Sequence, residues 1–275
     1  MTYFNKMLKL HLAKAEKIVY TNEVMLHTYK GIKMKSFKNA FTLAELLIVL
    51  GIIGIVAALT MPALIASHKE KETVTRLKKA YSTLSNAYNL AIAENSTPDN
   101  WNLIGACDPQ GVENMMNKLV PYLNVTKNCG RNKGCFPNVI YKNLNNTDYY
   151  NINTNICFAR IILTDGTIIA SYVNSADCTT GEGSSTELQQ ICGTFWIDTN
   201  GFKPPNTMGK DLFSFYATKN VIVPTGTHDT TFPSFYSTCK TSNIGWGCAA
   251  WVIFNENMEY LKCNDLSWNG KNKCK

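Results

Sequence analysis

The sequence predicts an α+β protein in which one long N-terminal helix, first transmembrane and then amphipathic, packs on a disulfide-bonded antiparallel β-sheet head. Three observations support this prediction. An apolar stretch, residues 46–66, continues into an amphipathic stretch without a break, as expected of one helix in two environments. After Pro98 the chain is rich in Asn, Thr, Gly, aromatic and Cys residues, which is typical of strands and turns. All 10 cysteines lie in this second part.

The apolar stretch is close to the length of about 20 residues that crosses a bilayer as a helix. A secretory signal peptide has a shorter apolar region, roughly 7–15 residues, followed by a small-x-small cleavage site. Neither a signal peptide nor an ordinary signal anchor explains Glu45, a carboxylate at the start of the span. A charged side chain near the end of a membrane helix costs about 1–3 kcal/mol unless it finds a partner. Glu45 therefore indicates a functional pairing.

The residues around Glu45 resemble a known family. Residues 38–45, with the sequence KNAFTLAE, give a basic leader, a small residue and Phe-Thr-Leu-x-Glu before the apolar span. This pattern resembles the class III leader of type IV prepilins and type II secretion pseudopilins. The resemblance implies that prepilin peptidase cuts between Ala40 and Phe41, and that Phe41 becomes the N-methylated first residue. It also implies that Glu45 pairs with the N-terminal amine of a neighbouring subunit during assembly, since a buried charge needs an opposite one.

Three other features bear on this resemblance. Ala40 stands where the family usually has Gly, and it is small enough to keep cleavage plausible. Pro62 falls where pilins often carry a helix-kinking proline. Residues 1–33 fit a leader poorly, whereas a start at Met34 gives a short leader whose two lysines suit the cytoplasmic face. The true start is therefore expected at Met34, or residues 1–33 are removed with the leader.

The predicted helix runs from Phe41 to about Glu94. Its second half has apolar residues three and four positions apart: Val74, Leu77, Tyr81, Leu84, Tyr88 and Ala91. Residues 95–98, NSTP, supply a stop. A coiled-coil stalk would need more heptads. The chain is expected to divide into a leader (1–40), a transmembrane and filament-core helix (41–67), an amphipathic helix (68–97) and a globular β-rich head (98–275).

Strand signals dominate the head. Residues 156–163 and 167–173 flank Asp165-Gly166, a strong turn signal, and are expected to form a hairpin. Further strands are predicted at residues 193–198, 213–223, 249–254 and 258–263. Residues 143–155, rich in Asn and Thr, are predicted as an exposed loop. A head of this length can bury a core of its own.

The distribution of the cysteines predicts disulfides in an oxidising compartment, because none precedes the apolar span. Zinc is the competing interpretation, but no Cys-x-x-Cys pair occurs, and the spacing of Cys129 and Cys135 is too wide for a zinc knuckle. The sequence alone cannot determine which cysteines pair with each other. Neighbours in sequence give the hypothesis Cys129–Cys135, Cys178–Cys192, Cys239–Cys248 and Cys263–Cys274, which leaves Cys107–Cys157.

Residues 198–211, DTNGFKPPNTMGKD, resemble a C-terminal motif of pilin-like proteins, in which an Asp-x-Asn-Gly turn precedes a Pro-Asn-x-x-Gly-x-Asp loop. Two interpretations are open. Some pseudopilin heads bind calcium in a loop of this region, and the hard oxygen donors that Ca²⁺ prefers are present: Asp198, Asn200, Asn206 and Asp211. Alternatively these side chains cap backbone amides, with Gly201 and Gly209 at positive φ. The low carboxylate count favours the turn network.

Composition and motifs exclude several function classes. After processing only His68 and His228 remain, no phosphate-binding loop or nucleotide fingerprint occurs, and disulfide-bonded cysteines cannot act as nucleophiles. No enzyme and no cofactor other than Ca²⁺ are therefore expected. The net charge of +7 does not indicate nucleic acid, because residues 1–40 hold eight lysines against two glutamates and their loss leaves +7 − 6 = +1.

The resemblance implies a structural subunit of a type IV pilus-like or type II secretion (pseudopilus) filament. Such a subunit is a single-pass protein of the bacterial inner membrane, with its head in the periplasm or outside the cell, and enters an extracellular filament after assembly. The implied partners are other pilin subunits in a homo- or hetero-filament, prepilin peptidase/methyltransferase, the inner-membrane assembly platform and membrane lipid.

The alternative function is a minor or tip pilin that acts as a binding module for adhesion or DNA uptake. Its binding face would use the aromatic residues Trp101, Trp196, Trp246, Trp251, Trp268, Tyr149, Tyr150 and Tyr172. Residues of these types more often belong to the core, and this favours the filament subunit.

Overall fold

The computed structural model describes residues 42–105 and 107–274. The predicted leader, Met34, the cut after Ala40 and the methylated Phe41 lie outside the described residues. The described residues divide into two units, one from residue 42 to residue 58 and one from residue 59 to residue 274.

Helix α1, Leu43–Asn95, confirms the predicted continuous helix. It runs through Pro62 as one element, and the kink at that residue stays a prediction. Its first part is long and apolar enough to cross a membrane, and none of that stretch is buried. The second part buries the predicted stripe, although Tyr81 is only half-buried. Ala80 and Ala87, which were not predicted, are buried beside it, and the buried residues of the helix are Val74, Leu77, Ala80, Leu84, Ala87, Tyr88 and Ala91.

Six strands form one antiparallel sheet in chain order. They are β1 (Val125–Gly130), β2 (Ala159–Leu163), β3 (Ile168–Val173), β4 (Ile191–Asp198), β5 (Leu212–Thr218) and β6 (Ile222–Pro224). The β2–β3 hairpin with its turn at Asp165-Gly166 is confirmed. The helices of the head are α2 (Pro109–Leu119), α3 (Phe235–Thr238) and α4 (Ala249–Asn255).

The sheet has two buried faces. On one face Phe195 and Phe215 pack against the α1 stripe, where Tyr88 lies 6.4 Å from the Phe195 ring and Tyr81 stacks on Phe215 at 5.4 Å. The Tyr88 hydroxyl donates to the Thr218 carbonyl at 2.6 Å. The opposite face carries a second apolar cluster that includes Ala170, Trp196 and Leu212 from the sheet, and Phe136 and Tyr141 from a loop. Because side chains alternate along a strand, β3, β4 and β5 each supply residues to both clusters.

Four predictions for the head are wrong. Residues 249–254 form helix α4 and residues 258–263 contain a 3₁₀ turn, Glu259–Leu261. Residues 213–223 form two strands, β5 and β6, which pair with each other. The loop at residues 143–155 is not wholly exposed, because it contributes four buried residues: Asn143, Leu144, Ile152 and Asn153. Buried Arg160 fixes this loop by donating to the Ile152 carbonyl at 2.5 Å.

The structure forms five disulfides, and no cysteine within residues 42–105 and 107–274 is free. The pairs are those of the sequence hypothesis: Cys107–Cys157, Cys129–Cys135, Cys178–Cys192, Cys239–Cys248 and Cys263–Cys274. Four bridges close short loops, and Cys107–Cys157 links positions 50 residues apart. The predicted disulfide-bonded α+β fold is thereby confirmed.

Candidate functional site

Glu45 takes part in a reciprocal cap at the start of α1. The Glu45 carboxylate accepts hydrogen bonds from the Thr42 backbone N–H at 2.8 Å and from its hydroxyl at 2.9 Å. The Glu45 backbone N–H donates to the Thr42 hydroxyl at 3.2 Å. This is a capping box, in which a Ser or Thr before the helix and a Glu three residues later satisfy each other's free N–H groups. The Thr-Leu-Ala-Glu sequence therefore has a local structural role, which the sequence analysis missed although the spacing shows it.

Asp198 and Asp211 are buried where β4 ends and β5 begins, and with their partners they form what we term the aspartate network. Asp198 accepts from the backbone N–H groups of Asn200 at 3.1 Å and Gly201 at 2.8 Å, and from the Tyr141 hydroxyl at 2.5 Å. Gly201 has a φ of 71°, in the region that glycine adopts without strain. The turn that the sequence predicted is therefore present.

Asp211 is held in the same way. Its carboxylate accepts from the backbone N–H groups of Asn206 at 2.8 Å and Thr207 at 2.6 Å, and from the Asn200 side-chain amide at 3.1 Å. Burial raises the pKa of both Asp198 and Asp211, and the Asp211 charge raises that of Asp198 further. These hydrogen bonds favour the ionised form and oppose the shifts.

The aspartate network fits a turn network better than a calcium site. Each carboxylate already accepts three hydrogen bonds, whereas Ca²⁺ takes about 6–8 oxygen ligands. The part of the chain that the structure describes has no group of three His, Cys, Asp or Glu residues that could hold a metal. The buried side-chain oxygens of Asn200 and Asn206 have no hydrogen-bond partner among the described residues, and they are the feature that still favours calcium. Calcium binding stays a prediction.

Asp198→Ala is expected to lower the free energy of unfolding by about 3 kcal/mol or more, because each buried donor left without an acceptor costs about 1–3 kcal/mol. Asp198→Asn keeps an acceptor oxygen for the turn and removes a buried charge, so its stability should stay within about 1 kcal/mol of the wild type. Thermal melting of both variants measures this difference.

The same melts test pH and calcium. Folding raises the pKa of Asp198, so the folded state binds more protons than the unfolded state. The stability of the wild type relative to the Asn variant should therefore rise as pH falls from neutral towards the unfolded pKa of about 3.9.

If the network binds calcium, the wild-type melting temperature rises with Ca²⁺ concentration and the Asn variant responds less. Equal loss of stability in both variants would contradict the assigned role of Asp198.

The structure separates the eight aromatic residues into two groups. Trp101 and Trp251 are core residues, 1% and 0% exposed, and Trp268 packs against that core. These three do not line the cavity that the other five share. The other five line one cavity of about 340 Å³, which we call the aromatic cleft: Tyr149, Tyr150, Tyr172, Trp196 and Trp246.

The floor of the aromatic cleft is the sheet face opposite α1. Alternate residues of three neighbouring strands face it: Tyr172 from β3, Thr194 and Trp196 from β4, and Ser214 and Tyr216 from β5. The register places Thr194 between Tyr172 and Tyr216, and Ser214 beside Trp196. The sequence analysis did not assign Thr194, Ser214 and Tyr216 to a site. Thr194 is two residues from Trp196, and Ser214 is two residues from Tyr216, which is the sequence spacing of residues on one face of a strand.

Comparison with known families gives two matches. A model of the prokaryotic N-terminal methylation motif, the prepilin signature of type IV pilins and pseudopilins, matches residues 35–61. A model described as a family of unknown function, DUF6613, matches residues 63–232, more than half of the chain. The chain belongs to DUF6613. Comparison with the curated proteins and with the solved structures finds no match.

The DUF6613 match begins within α1 and extends beyond β6. It includes Asp198, Asp211 and the strands that form the floor of the aromatic cleft. Trp246, α3 and α4 follow the matched residues. In this DUF6613 protein, one wall of the cleft therefore comes from outside the family match. The methylation motif confirms the resemblance to prepilins that the sequence analysis identified.

Proposed function

We propose that this chain is a structural subunit of a type IV pilus-like or type II secretion (pseudopilus) filament. The observation that carries the proposal is the methylation motif at residues 35–61, which leads into the part of α1 that could span a membrane. The motif implies processing by prepilin peptidase and assembly with other pilin subunits. Proteins with this signature are structural and not catalytic, and the absence of enzymatic activity stays a prediction.

The surface of α1 supports both a membrane-bound and an assembled state. Its first part exposes large apolar side chains, with Leu43 at 78% and Leu59 at 76% exposure. Apolar surface left in water costs about 25 cal/mol per Å², and a patch of this extent indicates an interaction with lipid or with other proteins. In the proposed pathway the helix first anchors the chain in the inner membrane. It then packs with the helices of other subunits when the assembly platform extracts it.

The capping box gives Glu45 a defined position for its proposed role. Within lipid, the free N–H groups of a helix end need partners, and the Glu45 side chain accepts from Thr42 at this end. Cleavage after Ala40 would create a positively charged amine at Phe41, one residue before Thr42. The carboxylate is thus held at the end of the helix where the amines of processed subunits meet it during assembly.

The aromatic cleft favours a second candidate, a minor or tip pilin that acts as a binding module. A filament subunit needs no cavity of about 340 Å³ on the sheet face opposite α1, whereas clefts of roughly 300–1,000 Å³ are common at ligand sites. The two candidates share the leader and α1, and they differ in what the head does once it is in the filament.

The experiment that tests the filament proposal compares cells with and without prepilin peptidase. With the peptidase, the chain should lose residues 1–40 and appear in sheared surface filaments. Without it, the precursor should stay in the inner membrane. Deleting the assembly platform of each filament system in turn then identifies the machine that uses the chain. Release of a soluble head by cleavage after Ala66 would overturn the proposal.

A further inference from the structure

We propose that the aromatic cleft binds a neutral carbohydrate, with a pyranose ring packed on its aromatic side chains; this rests on the binding-module candidate described above. Four features of the aromatic cleft support the inference: its rim, its floor, its unpaired indole N–H groups and its charge. Each limits the chemistry of the occupant.

The rim consists of four aromatic rings in a row. Tyr150 and Tyr149 lie 4.6 Å apart, Tyr149 and Trp246 lie 5.5 Å apart, and Trp246 and Phe232 lie 6.1 Å apart, measured between ring centroids. The two ends of the row remain open to solvent, since Tyr150 is 50% and Phe232 is 48% exposed. Flat apolar faces with polar edges suit the C–H faces of a sugar ring, because an aromatic ring carries negative charge on its face.

The floor adds polar groups between aromatic ones. The Thr194 hydroxyl donates to the Asn174 side-chain oxygen at 2.7 Å, and both residues line the aromatic cleft. The Ser214 hydroxyl lies 2.9 Å from that of Thr225. A few fixed polar groups in a mainly aromatic lining are typical of small-molecule sites, where they orient the ligand.

Two indole N–H groups in the lining have no hydrogen-bond acceptor in the part of the chain that the structure describes. The Nε1 atoms of Trp196 and Trp246 are both buried and unpaired, and Trp196 is only 7% exposed. Burial raises the pKa of Tyr149, and the nearby Trp196 indole opposes that shift without forming a hydrogen bond of normal geometry. A buried donor without an acceptor is costly and rare in folded proteins. Less than 1 Å² of either atom is accessible, so hydroxyl or ring oxygens of a sugar would supply the missing acceptors once a lining side chain moves aside.

The charge of the lining argues against an anionic occupant. Glu182 is the one charged residue among the described residues that line the aromatic cleft, and burial raises its pKa. Its carboxylate forms no hydrogen bond or ion pair within the described residues, and its charge adds to the burial that raises the pKa of Tyr216. A nucleic acid would need cations for its phosphates. Glu182 instead accepts hydroxyl donors, which neutral sugars carry in number.

The test measures binding of neutral oligosaccharides to the full-length chain in detergent, by tryptophan fluorescence. The panel contains glucose, galactose and N-acetylglucosamine oligomers, with a heparin fragment and single-stranded DNA as anionic probes. A member of the neutral panel should bind saturably, and the anionic probes should not. A panel without saturable neutral binding up to about 10 mM, a weak limit for a small ligand, would overturn the proposal.

Three variants locate the site. Trp246→Phe keeps a ring but removes the unpaired N–H, and Tyr150→Ala removes an exposed rim ring; each should weaken binding about tenfold. Phe254→Ala, which removes a 61% exposed aromatic ring outside the lining, is the matched control and should bind as the wild type does. Wild-type binding by Trp246→Phe and Tyr150→Ala would overturn the proposal, even if a sugar binds elsewhere.

Filament incorporation of the same variants separates the two proposals. The Tyr150→Ala chain should enter sheared filaments as the wild type does while its sugar binding falls. Loss of sugar binding from every chain, with normal incorporation, would remove the cleft proposal alone. Saturable sugar binding by a wild-type chain that never enters filaments would remove the filament proposal alone.

Discussion

Reduction of the five disulfides is expected to unfold the head under native conditions. Each native bridge in a secreted domain contributes about 2–5 kcal/mol, whereas the net stability of a domain is only about 5–15 kcal/mol. The summed contribution of the five bridges is therefore larger than the net stability of the folded head. The measurement is a thermal melt of the purified head with and without reductant, followed by the near-ultraviolet signal of its tryptophans.

Individual bridges should contribute different amounts to the stability of the head, in an order set by the length of the loop that each one closes. In the chain-entropy account, a bridge stabilises more when it closes a longer loop. Cys107–Cys157 spans 50 positions and Cys129–Cys135 spans 6. Replacing both cysteines of the first pair by Ala should cost about 4 kcal/mol, against about 2 kcal/mol for the second. Free thiols that bind zinc in the denatured, non-reduced chain would contradict the disulfide assignment, and an inverted order would contradict the entropic explanation.

Glu45→Val and Glu45→Gln are both expected to leave the chain inserted in the membrane but unable to enter filaments. Valine fits lipid and removes the charge together with the cap. Glutamine can keep the capping box and removes the charge alone. If the carboxylate pairs with a neighbouring amine in a buried interface, loss of that pair costs about 3–5 kcal/mol. Incorporation should then fall at least about a hundredfold.

The Gln variant separates the two roles of Glu45. Immunoblots of sheared filaments, with membrane fractions as the control for insertion, measure incorporation of both variants. Failure of both variants supports the charge pair. Wild-type incorporation of Glu45→Gln, with failure of Glu45→Val, would assign Glu45 to the cap that Thr42 completes and would refute the intersubunit pairing.

The fold was predictable from sequence where local patterns are long or unambiguous. The α1 stripe repeats over several turns, and Asp165-Gly166 between two β-branched runs specifies one hairpin. Residues 249–254 carry the run AAWVIF, which suits a buried strand or a buried helix equally, and tertiary packing selected the helix. β1 was missed because only one of its six residues, Cys129, is buried, so the strand lacks the alternation that signals a half-buried strand.

Helix α2 was missed although its start carries a signal. Asp108 precedes the helix and accepts from the N–H groups of Gln110 at 2.9 Å and Gly111 at 3.0 Å. Pro109 occupies the first helical position, where its fixed φ is favourable and its missing N–H costs nothing. Residues 107–111, CDPQG, also resemble a turn, and this explains why the pattern gave no helix.

The aspartate network and the aromatic cleft also differ in how far the sequence could predict them. Most of the aspartate network lies in one short segment, residues 198–211, so Asp198 and Asp211 could be found from the sequence, whereas their distant partner Tyr141 could not. The lining of the aromatic cleft comes from separate segments, among them Tyr149, Tyr172 and Trp246. Sequence cannot distinguish these aromatic residues from Trp101 and Trp251, which are buried in the core, because only the tertiary fold brings the first group to one cavity.

The most direct measurement of the central claim is the mass of the N-terminal peptide of the chain recovered from sheared filaments. The filament proposal predicts a peptide that begins at Phe41 and carries one methyl group on its amine. A chain from cells without prepilin peptidase is the control and should keep its leader. An N-terminus at Met34 or Met1 in the filament fraction, or a mature chain that begins after Ala66, would contradict the proposal.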